Sequence, residues 1–393
     1  MAERSAALGY LAVGKETTPG TAVTPGVFIP YYKNSMFTDI SLTEIKPVFG
    51  NAFTRLESVM GQRNHKGTLE MLFEPNTAEY FAAMLLTPGS VTGSNPYTHP
   101  YTVAGNSSSF TMDISLVSQS VRFFGVQASK LGITFNKDEA RITPTISALG
   151  SWFGREVASV TGSGPYTINF ATTYDPNPTN GLVVGDTLQG GTTAAPQTIP
   201  SFTVATIPNG QSITTTTNVS TLVAGNWVSL APLTPSLTLL PPFVWPNTQF
   251  CFGATAAAAL SATQTRLEPG PTIEIIYNFE KDTGSPRSGG FDPASLIRTT
   301  ADYTFKIKKY FDTAQELDQW QDTSKSACVL RMYQYVGANT YEFRFTMNDL
   351  RIKTLQQQTE SEQVIYEEIE FLGNYSSGDG QGMDLKVINA LAT

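Results

Sequence analysis

Basic residues are the first thing this chain lacks. Of 393 residues, 25 are Lys or Arg and two are His, against 33 Asp or Glu, for a formal net charge of −8. Charged residues make up 15% of the chain, against roughly 25% in an average soluble domain. From Glu156 to Thr265 there is no Lys, Arg or His, and Glu156, Asp175 and Asp186 are the acids of that stretch. So few cations exclude a nucleic-acid binder, which neutralises phosphates with basic surface. The two cysteines, Cys251 and Cys328, cannot build a disulfide framework or a four-thiolate zinc site, and read as buried small hydrophobes. His65 and His99 have no second histidine or carboxylate at ligand spacing, and read as exposed or loop-packing residues. Long apolar runs are missing too. Phe250–Leu260 falls short of the ~20 residues that span a bilayer, and Leu237–Trp245 is broken by Pro241 and Pro242. The segment Met1–Ala7 lacks the apolar centre of a secretory signal. A soluble protein without membrane contact is the expectation. Aromatic residues reach 11%, which a globally disordered chain does not carry.

Catalytic signatures are absent as well. There is no phosphate-binding glycine loop followed by Lys and Ser or Thr, and no Gly-x-Ser-x-Gly elbow. Gly378–Gly382 comes nearest to a phosphate cradle but lacks the lysine. One carboxylate cluster stands out: Glu360, Glu362, Glu367, Glu368 and Glu370. Along Gln363–Phe371 strand alternation puts Tyr366, Glu368 and Glu370 on one face and Ile365, Ile369 and Phe371 on the other. Glu367 shares the apolar face, which calls for an edge position or an ion pair. Glu368 and Glu370 have the spacing of an acid/base pair of glycosidase type, although a solvated sheet face accounts for them more simply. No cofactor is called for.

What is present is repetition. The flanking thirds resemble each other, and repeats decide architecture. Leu69, Met71 and Phe73 alternate as a strand, followed by Tyr80, Phe81, Met84 and Leu85 at helical spacing behind an Asn76/Glu79 capping box. In the last third Tyr303, Phe305 and Ile307 make the strand, Thr313/Glu316 the box, and Leu317 and Trp320 the helix face. Phe110, Met112, Ile114 and Leu116 then align with Val329, Arg331, Tyr333 and Tyr335, where Arg331 departs from the pattern. Ser129–Thr134 aligns with Asn348–Lys353, and Ala148-Leu149-Gly150 with Phe371-Leu372-Gly373. The Thr/Gly/Pro-rich middle alternates apolar residues in short runs, which predicts a small β-domain rather than a linker. Within it Leu182–Leu188 echoes Leu222–Val228, each with a Gly followed by Asp or Asn at a tight turn.

The expected fold is mainly β (α+β): two tandem antiparallel sandwich or barrel domains, each with one flanking helix, and a small β-domain inserted between them. The boundaries fall at 1–155 (with an N-terminal arm), 156–248 (the insertion) and 249–393 (with a C-terminal arm).

The run Ala7–Pro25, the strand Ile40–Ile45, the polar loop through His65, the strand and helix to Leu86, and the hairpin ending Leu149-Gly150 together resemble tail tube proteins of long-tailed bacteriophages. The likeness is clearest over residues 7–150, extends to the last third, and leaves the insertion outside. It implies a structural virion protein and no enzyme. Such subunits join edge to edge into rings that stack as the tail tube, through which DNA passes from capsid to host. It also implies assembly in the host cytoplasm, with tape-measure and tail-completion proteins as further partners and DNA as cargo rather than ligand. With two tube domains per chain, homotrimeric rings of pseudo-sixfold symmetry are expected, with true hexamers as the alternative. By the same analogy Arg55 and Arg63, in the loop Lys46–Lys66, and Arg287 and Arg298, in Lys281–Arg298, contact adjacent subunits or the next ring. Thr145, Ser147, Glu368 and Glu370 are candidates for a hydrophilic, mainly acidic lumen, because a basic wall would hold DNA back. The insertion is expected on the outer surface. The rival is a monomeric β-rich adhesin or carbohydrate-binding protein.

Overall fold

The computed structural model describes residues 9–45, 57–103, 105–115, 119–135, 139–173, 175–191, 199–237, 240–263, 265, 272–279, 292–293, 295–296, 298–311, 315–358, 365–378 and 382–392. The protein is mainly β. Its strands pair antiparallel in two large sheets, with three short α-helices among the described residues: α1 (Pro75–Leu85), α2 (Ala256–Ser261) and α3 (Gln315–Gln321). The alternation that predicted strands is the alternation of burial. In Ala140–Ala148 the residues Ala140, Ile142, Ile146 and Ala148 point into the core, while Arg141, Thr143, Thr145 and Ser147 point out.

The two flanking thirds are built on one plan, visible in their strand registers. Each has a first strand (Phe37–Ile45; Thr272–Phe279), a second (Glu57–Leu72; Arg298–Tyr310), a helix, a third (Phe110–Ser115; Ser326–Val336), a long strand (Ser120–Phe135; Asn339–Gln358) and a last (Ala140–Ala148; Tyr366–Gly373). In both, the spatial order is first, second, last, long, third. The irregularities match as well. The first strands bulge between Ile40 and Leu42 and between Tyr277 and Phe279. Against the third strands, the long strands shift between Phe123 and Val126 and between Met347 and Leu350. Against the last strands they shift between Ala128 and Lys130 and between Ile352 and Thr354. An extra residue re-aims a strand, and shared bulges at shared places support duplication more strongly than shared composition does.

These registers correct the sequence alignment in two places. Ala128–Lys130 corresponds to Ile352–Thr354, so the match of Ser129–Thr134 to Asn348–Lys353 is displaced along the strand. In the third strand the core face is Cys328, Leu330 and Met332, and the first two of these are the counterparts of Met112 and Ile114. Arg331 lies on the other face, where its guanidinium donates to Glu342 at 2.9 Å, so it breaks no pattern.

The repeats do not have separate cores. Phe73 from the first packs edge-on against Phe343 from the second, with centroids 4.9 Å apart, and both belong to one continuous apolar cluster with Phe81, Phe110, Phe305 and Phe345. The insertion has its own core, drawn from residues between Trp152 and Leu230, including Ile168, Phe202 and Val228. After it the chain returns to the main core through Phe243, whose N–H donates to the Phe73 carbonyl at 2.9 Å. The segment before residue 248 is therefore shared out: Phe243 and Trp245 pack with the repeats. The echo inside the insertion is structural. Gly185 and Gly225, with φ of 97° and 83°, occupy matching turns in which Asp186 and Asn226 accept from the N–H of Val183 and Val223.

The helices differ from expectation. α1 starts at Pro75, with Glu74 at its cap, and Glu79 serves elsewhere, accepting from Asn389 Nδ2 at 2.6 Å. Proline suits a first helical position because the N–H it lacks has no partner there. In α3 Trp320 is exposed rather than buried, and Thr313 of the expected box lies outside the described residues.

Candidate functional site

The feature that joins the repeats is a strand pairing. The C-terminal half of the first long strand uses one edge for its own last strand. Its other edge takes the first strand of the second repeat, with Lys130 opposite Ile276, Gly132 opposite Glu274 and Thr134 opposite Thr272. The counterpart edges carry no such partner. Among the described residues no strand pairs with the outer edge of Thr354–Gln358, or with the outer edge of Phe37–Ile45. The first of these is polar (Thr354, Gln356, Gln357). The second presents apolar side chains to solvent: Phe37 is 51% exposed, Ile40 42% and Leu42 66%. Beside it lies a groove of about 290 Å³ lined by Met36, Phe37, Ile40, Val121, Phe123 and Phe153, among others. Unpaired edges of this length are where sheets recruit further strands.

The predicted lumen residues fall on one sheet face. The strands bearing Thr145 and Ser147 and those bearing Glu368 and Glu370 belong to one continuous sheet, linked through the junction above. Register makes Thr145 the counterpart of Glu370 and Thr143 that of Glu368, so Ser147 corresponds to Leu372 rather than to a glutamate. The face is hydrophilic but not predominantly acidic. Lys306 and Lys308 stand opposite Glu370 and Glu368. Glu370 accepts from Lys353 Nζ at 2.8 Å and lies 3.6 Å from Lys306. The Lys353 hydrogen bond holds the Glu370 carboxyl below the usual glutamate range. Lys308 also sits 4.4 Å above the Tyr366 ring. Lys306 and Lys308 alternate with the buried Phe305 and Ile307 on their strand, a signal the sequence carried but whose cross-strand match it did not. Glu367, expected at an edge or in an ion pair, is fully buried with Lys309 Nζ 3.8 Å away and accepts from Gln357 at 3.0 Å.

Of the predicted interface arginines, Arg55 and Arg287 lie outside the described residues. Arg298 opens its strand opposite Phe279. Arg63 is in a strand, not a loop, and is buried. Within the chain it faces Asp175 at 3.7 Å and Asp292 at 3.8 Å, contacts that tie the repeats to the insertion. Arg155 joins the cluster through Asp175 at 2.6 Å; burial lowers its pKa, with Asp175 opposing. Both histidines are buried beside carboxylates distant in sequence: His65 Nε2 is 3.1 Å from Asp292 and His99 Nδ1 3.4 Å from Glu79. Sequence spacing gave no sign of either.

A second buried cluster docks the insertion. Arg122, 1% exposed, donates from Nε to Asp113 at 2.7 Å and from Nη1 to Asp186 at 2.6 Å. Burial pushes the Asp113 carboxyl up against the pull of Arg122. Burial also disfavours the charged guanidinium, yet the two carboxylates outweigh it and hold the Arg122 pKa above its ordinary value. Bidentate, fully satisfied charge of this kind fixes geometry. Among the described residues no three His, Cys, Asp or Glu side chains converge as a metal site, and no helix is long and apolar enough to cross a membrane. Compared with known proteins, the chain matches no family model and no curated sequence.

Proposed function

We propose that this chain is the structural subunit of a phage-type tail tube, assembling as homotrimeric rings of pseudo-sixfold symmetry that stack around a channel for DNA. One observation carries the reading: the two repeats are joined by pairing the first strand of one to the long strand of the other, while the equivalent edges at the two ends have no partner among the described residues. A module that adds head to tail in this way forms a closed ring when its rotation divides a full turn, and an open filament when it does not. The resemblance of Ala7–Pro25 and the strands after it to tail tube proteins supplies the identity of the ring. The paired-charge face of Thr145, Glu368 and Glu370 suits a channel wall that neither binds nor strongly repels a polyanion.

Negative-stain microscopy of the purified chain tests this. Rings with threefold subunit composition, or tubes stacked from them, are the expected result. Dispersed monomers at high concentration would instead favour the adhesin or carbohydrate-binding reading, and sugar hydrolysis abolished by Glu368→Gln would favour an enzyme.

A further inference from the structure

The internal junction is also a template for the external one. We infer that copies of this chain join by repeating it: Thr354–Gln358 of one copy pairs antiparallel with Ser35–Asp39 of the next. The inference deepens the tube reading by naming the seam, and rests on it only for the closure of the ring. Its own basis is the register. Because the long strands share both bulges, Lys130 corresponds to Thr354 and Thr134 to Gln358. Because the first and second strands share a bulge, Glu274 corresponds to Phe37 and Ile276 to Asp39. Carrying the internal pairs across gives Thr354 opposite Asp39, Leu355 opposite Thr38 and Gln356 opposite Phe37 of the neighbour.

Three features of the two edges fit this occupant. Over Phe37–Asp39 and Thr354–Gln358 the inner edge is satisfied by the chain's own repeat, leaving backbone donors and acceptors directed outward, while the Met36 N–H already donates to Asn34 Oδ1. Phe37, half exposed in the single chain, is covered when a strand is laid beside it. Asp39 arrives next to Lys353, which sits in the bulge at the start of the pairing segment and is 52% exposed. A one-residue slip would turn each side chain to the opposite face, so the seam has a single register consistent with the template.

Disulfide trapping reads that register. Directly opposite residues bring Cβ atoms to about 4.5–5.5 Å, within small adjustment of the ~3.5–4.5 Å a disulfide needs. The variant Phe37→Cys/Gln356→Cys should, on mild oxidation, give disulfide-linked oligomers ending at a closed species of three chains. It should yield at least ~10-fold more linked chain than Thr38→Cys/Gln356→Cys, whose side chains project from opposite faces. Phe37 and Gln356 are exposed, so each single variant should keep the wild-type melting temperature and remain unlinked. No linking by the matched pair, or equal linking by the shifted pair, overturns the inference. Tubes without matched linking would refute the seam but leave the tube reading standing. Matched linking without rings or tubes would do the reverse.

Discussion

Arg122 makes charge-assisted hydrogen bonds to two buried carboxylates, Asp113 and Asp186. It lies on the first long strand, bridges its strand neighbour Asp113 to Asp186 in the insertion, and also reaches the Gly181 carbonyl at 3.2 Å. A buried pair is weak as a source of net stability, because desolvating both charges cancels much of their attraction. Breaking it from one side is a different matter. Arg122→Ala leaves two buried carboxylates facing each other, and should cost about 3–5 kcal/mol in urea unfolding. Because Asp186 also caps the turn at Val183, the same variant should become susceptible to limited proteolysis within the insertion before the repeats are cut. Arg122→Met with Asp113→Asn and Asp186→Asn should recover most of the loss. None of this was legible in the sequence. Asp113 lies near Arg122 in the chain, but Asp186 does not, and ion pairs between distant positions leave no periodic trace.

At the scale of elements, alternation was legible and register was not. The strand patterns of Leu69–Phe73 and Tyr303–Ile307 come from period-two burial, which sequence displays directly, whereas Phe110–Ile114 alternates apolar with polar residues although both its faces are buried, Thr111 and Asp113 included. The two repeats share their bulges, but the hairpin between the third and long strands is longer in the second repeat, so Met112 matches Cys328 while Phe123 matches Met347. No single offset fits both strands, and this displaced the alignment of the long strands and made Arg331 look anomalous. Helix starts misled for a related reason: Asn76 and Glu79 have capping-box spacing, but the extended backbone at Glu74 and the proline after it set the start earlier. Close approach of elements is equally hidden. At the end of the second repeat's last strand, Gly373 lies against the ring of Tyr303 on the second strand, and a Cβ there would fall 1.9 Å from that ring. The hydroxyl of Tyr303 donates to the Gly382 carbonyl at 2.8 Å, which keeps the ring from swinging aside. Gly373→Ala should therefore destabilise by roughly 1–3 kcal/mol, in the range of overpacked cores. Ala148 is its counterpart in the first repeat, opposite His65 rather than a tyrosine, so Ala148→Gly creates no overlap and should cost only about 1–2 kcal/mol, from the lost buried methyl and glycine's freer backbone. Denaturant midpoints of the two variants check both.

For the whole molecule, the insertion can be separated from the repeats on geometric grounds. Its entry and exit strands pair with each other, Arg155 opposite Val228 and Glu156 opposite Trp227, so its two ends are already one ladder rung apart. Its apolar cluster is distinct from that of the repeats. Replacing residues 157–226 by a short glycine-containing turn should thus leave the repeat core folded: Arg122 keeps its bidentate pair with Asp113 once Asp186 is gone, and Arg155, which loses Asp175, is changed to Met so that no unpaired cation stays buried. The seam segments Ser35–Asp39 and Thr354–Gln358 are untouched by this deletion. If the insertion faces outward, rings and tubes of the shortened chain should form with a smaller outer diameter and an unchanged channel, measurable by averaging stained tubes. A widened channel would place the insertion in the lumen and reverse the assignment of the Glu368 and Glu370 face. Loss of rings, with the melting temperature retained, would make the insertion part of the assembly contact. The basic-residue gap between Glu156 and Thr265 bears on the same experiment: a surface domain that contacts no DNA needs no cations, whereas the repeats balance their glutamates with Lys306, Lys308 and Lys353 along the sheet face proposed to line the channel.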